Sequence, residues 1–593
     1  MDRRDGVVDG LDGPHAFGRR EVAVDAVDHR GHVAAGTERR AGPPEDDTAS
    51  VAVGDGIEPF DETGGRRFRQ RVAFVGPVER DGRDAVRDGQ QYRVVGHTTD
   101  VCPRDYNPAV GVGYPFLSDE SQNTGMYLHW HRRDLRTADN AGLARASADD
   151  PVLPVFVFDR DVLAHAGPPR VAFMLDALSR LREWYRERDS DLLVAEGDPR
   201  AVLPDLAAAH GADRVTWGKD YSGLARERDA AVRRALDDAD VSREAVQNAV
   251  CHEPGEITTN DGDPYSVFTY FGRKWQDREK QAPYDPPTAD ALVEFADDTV
   301  LPTLEELGFD EPEADIPPAG TEPARDLLDA FLEDGVYRYD DRRDYPAEDC
   351  TSRLSAHLKY GTIGIREVYH GTAEARDAVE PGSERDESVA EFQSQLAWRE
   401  FYTQVLFANP NVVTANYKSY ERPIQWNDDP EALRAWKDGE TGYPIVDAGM
   451  RQLREEAFMH NRVRMIVASF LTKDLLVDWR EGYDWFREKL VDHDTANDNG
   501  GWQWAASTGT DAQPYFRIFN PMTQGERYDP DAEYIKRYVP ELRDAGAEII
   551  HEWHGASLTQ RRSAAPDYPD PIVDHSERRE DAIEMFEIAR GDS

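Results

Sequence analysis

Seven of the eight tryptophans in the second half of the chain lie between residues 398 and 504, and two of these seven follow residues that suit a binding pocket. The seven are Trp398, Trp426, Trp436, Trp479, Trp485, Trp502 and Trp504. Residues 492–501 place carboxylates, amides and two adjacent glycines directly before the last two of these. Aromatic walls with a few convergent polar groups are typical of ligand sites. We therefore predict a ligand pocket here, with ordinary aromatic core packing as the alternative.

Other groups of reactive side chains indicate little chemistry. His551 and His554 are three residues apart, but no further ligand accompanies them, which is weak support for a metal. The three cysteines form no CxxC pair, which excludes a thiolate zinc site and a disulfide scaffold. We expect no metal site.

The charge of the chain is strongly negative, with 70 Lys and Arg against 116 Asp and Glu and a net charge of −46. The acidic residues are spread along the chain, Arg outnumbers Lys, and the first lysine is Lys219. This pattern is typical of a protein from a very salty cytosol. In about 1 M salt the Debye length is only about 3 Å, so net charge does not exclude an anionic partner. A nucleic-acid partner then requires a local basic face.

The length of 593 residues predicts at least two domains. The chain has neither a membrane-length apolar run nor a secretory signal pattern, so we expect a cytoplasmic protein with no membrane partner. In residues 1–125 the apolar residues show no sustained helical or strand periodicity. We therefore predict a disordered or artefactual N-terminal extension, with a small accessory domain as the alternative. Met126 would then be the natural start.

The elements that must position the pocket change in type along the chain. Apolar runs at 127–130, 152–158, 192–195 and 215–217 alternate with helical patterns, which predicts an α/β domain with a parallel sheet at 126–255. No GxGxxG follows its first strand, so a standard dinucleotide grip is not supported. Residues 256–322 are rich in Pro, Asp and Glu and predict an interdomain connection with one short helix around 303–307. Residues 323–593 are helical in pattern, which predicts an all-helical second domain.

Long motifs in both domains resemble the DNA photolyase/cryptochrome family. They lie at residues 131–136, 351–355, 398–402, 442–453, 459–471 and 500–521. The resemblance runs from Met126 to about residue 590 and is closest to archaeal class I cyclobutane pyrimidine dimer photolyases. It implies an α/β antenna domain and a helical domain that binds FAD. It also implies a monomer that binds UV-damaged DNA, flips out the dimer and splits it with an electron from photoexcited reduced FAD.

The resemblance also assigns residues to the cofactor. Positions matching the family's FAD contacts are Tyr339, Thr351, Ser352, Arg353, Leu354, Ser355, Asn461, Arg464, Asp492, His493, Asp494 and Asp498. The hydroxyls of residues 351–355, at an expected helix start, suit a pyrophosphate. Taken alone, this short run is more typical of an ordinary helix cap.

Electron transfer and lesion binding are assigned in the same way. Trp502, Trp479 and Trp426 match an electron-transfer chain from the flavin to the surface, with core packing as the alternative. Residues matching DNA or lesion contacts are Arg343, Gln395, Trp398, Arg399, Tyr402, Asn461, Arg462, Met465, Trp504 and Gln524. Their arginines would supply the basic face, with solvated surface arginines as the alternative.

Two positions depart from the family pattern. Dimer photolyases often have Glu where this chain has Gln395, and (6-4) photolyases have Gln there. Asn461, in contrast, follows His460 as in dimer photolyases, where (6-4) enzymes have a second His. Asp498 occupies a position that is Asn in photolyases and Asp in plant cryptochromes, where a carboxyl could protonate flavin N5. We therefore predict a dimer photolyase, with a cryptochrome-type photoreceptor or a (6-4) photolyase as alternatives.

The antenna chromophore is predicted from the α/β domain. Arg133, Phe156 and Asp159 match positions that hold 8-hydroxy-5-deazaflavin in similar enzymes. Folate-binding relatives have an acidic residue in the stretch equivalent to 223–225, and this chain has none. We predict the deazaflavin, with folate, another flavin or an empty site as alternatives.

Overall fold

A five-stranded sheet, all of whose strands are parallel, forms the first half of the structure. The computed structural model describes residues 125–592. The strands are β1 (Tyr127–His131), β2 (Val152–Phe158), β3 (Leu193–Glu196), β4 (Arg214–Gly218) and β5 (Ser242–Val246). Their order is β3-β2-β1-β4-β5. The sequence prediction for residues 1–125 lies outside the described residues, except at Gly125.

The composition of the strands explains which of them the sequence reveals. Every residue of β1 and β2 is buried, which produces the apolar runs expected of a central parallel strand. The edge strand β5 reads Ser-Arg-Glu-Ala-Val and has no buried residue, so the sequence analysis does not predict it. Five helices accompany the sheet: α1 (Ala141–Ser147), α2 (Arg160–Leu163), α3 (Pro168–Arg186), α4 (Pro199–His210) and α5 (Gly223–Asp238).

The sheet order places a binding crevice between β1 and β4. The chain leaves β1 toward β2 on one side and reaches β4 on the other, so the connections diverge at this point. In open parallel sheets, ligands bind beyond the carboxyl ends of the strands at such a switch point. The residues that follow β1 and β4 are therefore candidate ligand contacts.

Helices alone form the rest of the structure. They are α6 (Phe268–Asp277), α7 (Leu304–Leu307), α8 (Thr321–Glu333), α9 (Tyr339–Arg342), α10 (Ser355–Tyr360), α11 (Ile365–Asp377), α12 (Glu384–Ala408), α13 (Pro430–Asp438), α14 (Pro444–Glu456), α15 (Asn461–Ser469), α16 (Trp479–Lys489), α17 (Thr495–Ala505), α18 (Pro521–Tyr528), α19 (Glu533–Tyr538), α20 (Ala547–His551), α21 (Leu558–Ala564) and α22 (His575–Arg590). A π-helical turn at Phe470–Asp474 extends α15.

The fold class expected from sequence, an α/β parallel-sheet part followed by an all-helical part, is confirmed. The connection contains the short helix expected near 303–307, and also α6, which packs against α12 and which the sequence analysis does not predict. Within residues 125–592, no helix combines the length and apolar character that a bilayer span requires.

Candidate active site

One face of α12 carries a stripe of side chains predicted to contact the lesion. Gln395, Trp398 and Tyr402 follow one another at intervals of one turn, and all three are half-buried. The Trp398 and Tyr402 rings lie 5.5 Å apart between centroids. Tyr402 packs directly on α17, since a Cβ at Gly500 would lie 2.2 Å from Tyr402 Cδ1. The glycine therefore allows α12 and α17 to meet at this point.

An aromatic ring from the connection covers one side of Trp398. Phe268, the first residue of α6, stacks on the indole with a centroid distance of 3.8 Å and an interplanar angle of 11°. The backbone N–H of Phe268 donates to Asp511 Oδ2 at 3.1 Å, which ties α6 to the loop after α17. Phe268 therefore covers one face of the half-buried Trp398 indole. Phe268 is not among the residues predicted from sequence, because it lies in the segment predicted to be an interdomain connection.

The start of α15 brings several predicted contacts together. Asn461 is exposed, and its amide nitrogen lies 3.8 Å from Met465 Sδ. Arg462 pairs with Asp344 at 2.5 Å and lies over the ring of Tyr528, in the same helix as Gln524. Arg343, the neighbour of Asp344, pairs with Glu391 on α12 at 2.5 Å. Two of the arginines predicted to form a basic face therefore sit beside carboxylates.

Two other predicted lesion contacts, Arg399 and Trp504, lie apart from the residues at the start of α15. The Arg399 guanidinium donates to the carbonyls of Ala249 and Leu358 at 2.9 and 3.2 Å, so it faces the junction with the α/β part. The structure therefore does not place Arg399 beside Asn461, Arg462 and Met465 at the start of α15. Trp504 is half-buried near the end of α17, with its ring 6.3 Å from that of Phe519.

Arg464 organises the acidic residues predicted to surround the flavin. It donates to both oxygens of Asp492 at 3.0 and 2.8 Å and lies 3.5 Å from Asp498 Oδ1. Asp498 Oδ2 accepts the backbone N–H of Asp494 at 2.8 Å and lies 3.0 Å from His493 Nδ1. Burial by itself would raise the pKa of Asp498, but His493, Arg464 and this amide outweigh it, and the pKa lies below its ordinary value. Asp498 is therefore ionised at neutral pH.

Asp494 has a structural partner in the α/β part. It caps α17 by accepting the backbone N–H groups of Ala496 and Asn497, and it pairs with Arg133 at 2.6 Å. This pair and neighbouring cations hold the pKa of Asp494 well below its ordinary value despite burial. The carboxylate thus joins the helix that carries Asp498, Trp502 and Trp504 to the first loop of the α/β part.

The loop at residues 351–355 approaches the same region. Arg353 has a φ of +54° and lies 4.2 Å over the ring of Phe458, on which Arg464 also rests at 5.6 Å. Leu354 is buried and α10 begins at Ser355, as the sequence analysis expects. Tyr339, half-buried in α9, packs edge-on against Phe392 of α12 at 5.2 Å.

Several buried polar atoms near these residues suit a bound cofactor. His460 Nε2, Arg462 Nε, Trp502 Nε1 and Gln524 Oε1 have no hydrogen-bond partner among the described residues. Burial lowers the pKa of His460 to about 4, helped by Arg353, Arg462 and Arg464. Such atoms are costly unless a ligand or water satisfies them. Together with the hydroxyls of the 351–355 loop, these donors and the Gln524 Oε1 acceptor fit the predicted FAD.

The three tryptophans predicted to transfer electrons pass from the core toward the surface. Trp502 and Trp479 are 2% and 0% exposed, and Trp426 is half-buried. Trp502 lies against Gly482, one turn after Trp479 in α16. The backbone N–H of Asn427, next to Trp426, donates to the carbonyl of Leu476, just before α16. Trp436, to which the sequence assigns no role, meets Trp502 at 6.0 Å with an interplanar angle of 70°.

A second site lies in the crevice that the sheet order predicts. A cavity of about 440 Å³ opens beyond β1, β2 and β4 and is bounded on its other side by α10, α16, His493 and Thr495. The three residues predicted to hold an antenna, Arg133, Phe156 and Asp159, all line it. Trp130 and Phe158 add apolar surface. The structure thus brings this group together.

Cations dominate the polar lining of this cavity. They are Arg132, Arg133, Arg170, Arg228, Lys359 and Arg487. Burial and the neighbouring Arg133 lower the pKa of Lys359 to about 7. Burial alone would also lower the pKa of Arg133, yet Asp220 and Asp494 raise it above its ordinary value. The cavity therefore suits an aromatic ligand that carries negative charge. Of these cations, only Arg133 is predicted from sequence to contact the antenna.

Comparison with known proteins gives consistent matches over both parts of the chain. Residues 127–289 match the family described as DNA photolyase, and residues 392–588 match the FAD binding domain of DNA photolyase. A deoxyribodipyrimidine photo-lyase from Halobacterium salinarum is 67% identical over 481 residues, which cover 79% of this chain and 100% of that protein.

Solved structures agree with these matches. A bacterial class III photolyase from Agrobacterium tumefaciens has a TM-score of 0.74 and 36% identity, covering 80% of this chain and 99% of its own. An archaeal photolyase from Sulfolobus tokodaii, solved with two FAD molecules, has a TM-score of 0.65 and 32% identity. It covers 78% of this chain and 100% of its own.

Proposed function

The chain belongs to the DNA photolyase/cryptochrome family, and from this premise we propose that it repairs UV-damaged DNA by splitting cyclobutane pyrimidine dimers in light. The observation that carries the proposal is 67% identity over the full length of a deoxyribodipyrimidine photo-lyase. We propose further that the protein acts as a monomer in the cytoplasm.

The cofactor is FAD, and its contacts are proposed from the geometry above. Thr351, Ser352 and Ser355 would bind the phosphates, and Arg464 with Asp492 would orient the flavin ring. Bound FAD, when reduced and excited by blue light, would supply the electron that opens the cyclobutane ring and would regain it once the two bases have separated. Trp426, Trp479 and Trp502 would carry electrons inward when the cofactor needs reduction. The order of their burial, from half-buried to fully buried, supports this direction.

The lesion would bind against the stripe on α12. One face of Trp398 would stack on a flipped base, since Phe268 already covers the other face. Gln395, one turn earlier, and Asn461 of α15 would contact the polar edges of the pyrimidines. Arg343 and Arg462 would bind phosphates. Each is paired with a carboxylate, yet 28% and 14% of the two arginine side chains remain exposed to solvent.

The ionisation of Asp498 bears on the photoreceptor alternative. A carboxyl that protonates flavin N5 must carry a proton, yet the surroundings of Asp498 lower its pKa. Arg464 balances the negative charge of Asp498 at 3.5 Å from Oδ1, and His493 Nδ1 lies 3.0 Å from Oδ2. In this structure Asp498 therefore lies as an anion beside Arg464, not as the acid that would protonate N5.

We propose 8-hydroxy-5-deazaflavin as the antenna in the second cavity. Aromatic walls and several cations suit a planar chromophore with an acidic group. The Sulfolobus tokodaii photolyase, solved with two FAD molecules, makes a second FAD the competing assignment. Chromophores released from the purified protein decide between them: one deazaflavin per FAD supports the proposal, and two FAD per chain replace it.

Repair itself is the first experiment. The protein, purified in high salt and chemically reduced, is illuminated with oligonucleotides that carry either a cyclobutane dimer or a (6-4) lesion. Restoration of the dimer substrate alone supports the proposal. Repair of the (6-4) lesion alone means that Asn461 is misassigned. Photoreduction of the flavin with repair of neither lesion assigns the protein to the cryptochromes.

A further inference from the structure

A carboxylate that the functions above do not use contacts two predicted lesion residues at once. Glu391 lies one turn before Gln395 on α12, and its Oε1 accepts a hydrogen bond from Gln395 Nε2 at 2.8 Å. The same oxygen pairs with Arg343 Nη1 at 2.5 Å. Both donors thus converge on one oxygen of a side chain that is 30% exposed.

This contact fixes the direction of the Gln395 amide. An ionised carboxylate only accepts hydrogen bonds, so Nε2 must face Glu391 and the carbonyl Oε1 must face away. Within residues 125–592, the Oε1 atom and the second N–H of Gln395 make no other hydrogen bond. They leave an acceptor and a donor side by side, one turn from Trp398.

The free amide edge matches the polar edge of a pyrimidine dimer. Dimer formation joins the bases at C5 and C6, so each thymine keeps its N3–H donor beside its C4 carbonyl acceptor. A primary amide pairs with such an edge through two coplanar hydrogen bonds. An ionised carboxylate at position 395 could accept from N3–H but could not donate to the carbonyl.

We propose that Glu391 is a positioning residue that holds the Gln395 amide ready to bind the N3–H and C4 carbonyl of a flipped pyrimidine. The inference rests on the proposed function, because it takes Gln395 as a lesion contact. It explains how the chain replaces the carboxyl group that related enzymes have at position 395: the amide faces the base, and the acid one turn earlier orients the amide.

The test measures discrimination rather than repair alone. FAD-loaded protein binds, in the dark and at one fixed salt concentration, an oligonucleotide with a thymine dimer or the same oligonucleotide methylated at N3. Methylation removes the donor, so wild-type affinity should fall roughly tenfold or more. In Glu391→Ala the free amide must be ordered on binding and can turn away from the methyl group. Discrimination should therefore shrink by about three- to tenfold.

Three controls separate positioning from folding. Glu387→Ala removes the same charge from an exposed site one turn earlier on α12 and should leave discrimination unchanged. Glu391→Gln keeps an oxygen that can accept from Gln395, so it should retain most of the discrimination. FAD content shows that each variant is folded.

The outcomes distinguish the two proposals. Full discrimination in Glu391→Ala overturns the inference, as does a wild-type protein that repairs the dimer yet binds both oligonucleotides equally. A wild-type protein that neither binds nor repairs the dimer overturns the proposed function, and the inference with it.

Discussion

Replacing Gly482 by alanine tests the contact between α16 and the buried end of the tryptophan chain. An ideal Cβ at Gly482 would lie 2.0 Å from Trp502 Cη2, 2.4 Å from Cζ3 and 2.6 Å from Cζ2. Carbon atoms pack at about 3.5 Å or more, so the indole or the helix must move by roughly 1.5 Å. Trp502 is 2% exposed and packs on Phe486 and Trp436, which leaves the ring little room.

The expected cost follows from two opposing effects. Overpacking a buried site costs about 1–3 kcal/mol, and this displacement lies at the upper end. Alanine in a helix gains about 1 kcal/mol over glycine. The net loss for Gly482→Ala is therefore about 2 kcal/mol in the free energy of unfolding. Gly501 in α17 provides the matched control, since a Cβ there meets no atom within 4 Å. Gly501→Ala should stabilise the protein by up to about 1 kcal/mol.

Urea unfolding at constant high salt measures both variants, and the rate at which light reduces the oxidised flavin reports the position of Trp502. Gly482→Ala should unfold at lower urea and photoreduce more slowly than Gly501→Ala. Equal stability of the two variants would show that Gly482 does not set the approach of α16 to Trp502, and the packing argument would be wrong.

Three further outcomes are expected. Trp502→Phe should abolish photoreduction yet leave repair by chemically reduced protein, whereas Trp436→Phe should leave photoreduction intact; loss of repair after chemical reduction would contradict the role of Trp502. Trp398→Ala should weaken binding to dimer-containing DNA by about 1–3 kcal/mol in a binding titration, and unchanged affinity would remove Trp398 from the pocket. His129 is 0% exposed, and burial together with His131 lowers its pKa to about 4. Its neutral form therefore adds stability above pH 6.5 that is lost as pH falls toward 4, by up to about 3 kcal/mol. Unfolding measured across this range should show a smaller pH dependence in His129→Gln, and equal slopes would refute the assignment.

The sequence predicts most of the fold because the central elements have strong local patterns. The buried strands β1 and β2 are continuous apolar runs, and α3 and α12 show long helical periods. The elements that the sequence does not predict are those whose amino-acid composition depends on where they lie in the fold or on the segment around them. Strand β5 is polar because it lies at the sheet edge, and α6 lies in a segment whose prolines and acids suggest a connection.

The candidate site divides in the same way. Motif resemblance identifies Trp398, Gln395 and the flavin-binding residues by position, and the residue types state their chemistry. Resemblance does not identify Phe268 or Glu391, because neither lies in a motif that the sequence analysis uses. Phe268 reaches Trp398 from 130 residues away, and Glu391 acquires its importance only from the neighbours it contacts.

The sequence by itself determined the family, the order of sheet and helices, and the residue types available for flavin and lesion. Only the tertiary structure decided which of those residues have partners. It paired Arg133 with Asp494, turned Arg399 toward two carbonyls and surrounded Asp498 with groups that keep it ionised. The physical reason is that apolar periodicity is written in neighbouring residues, whereas ion pairing, pKa and stacking depend on distances of a few ångströms between residues far apart in the chain.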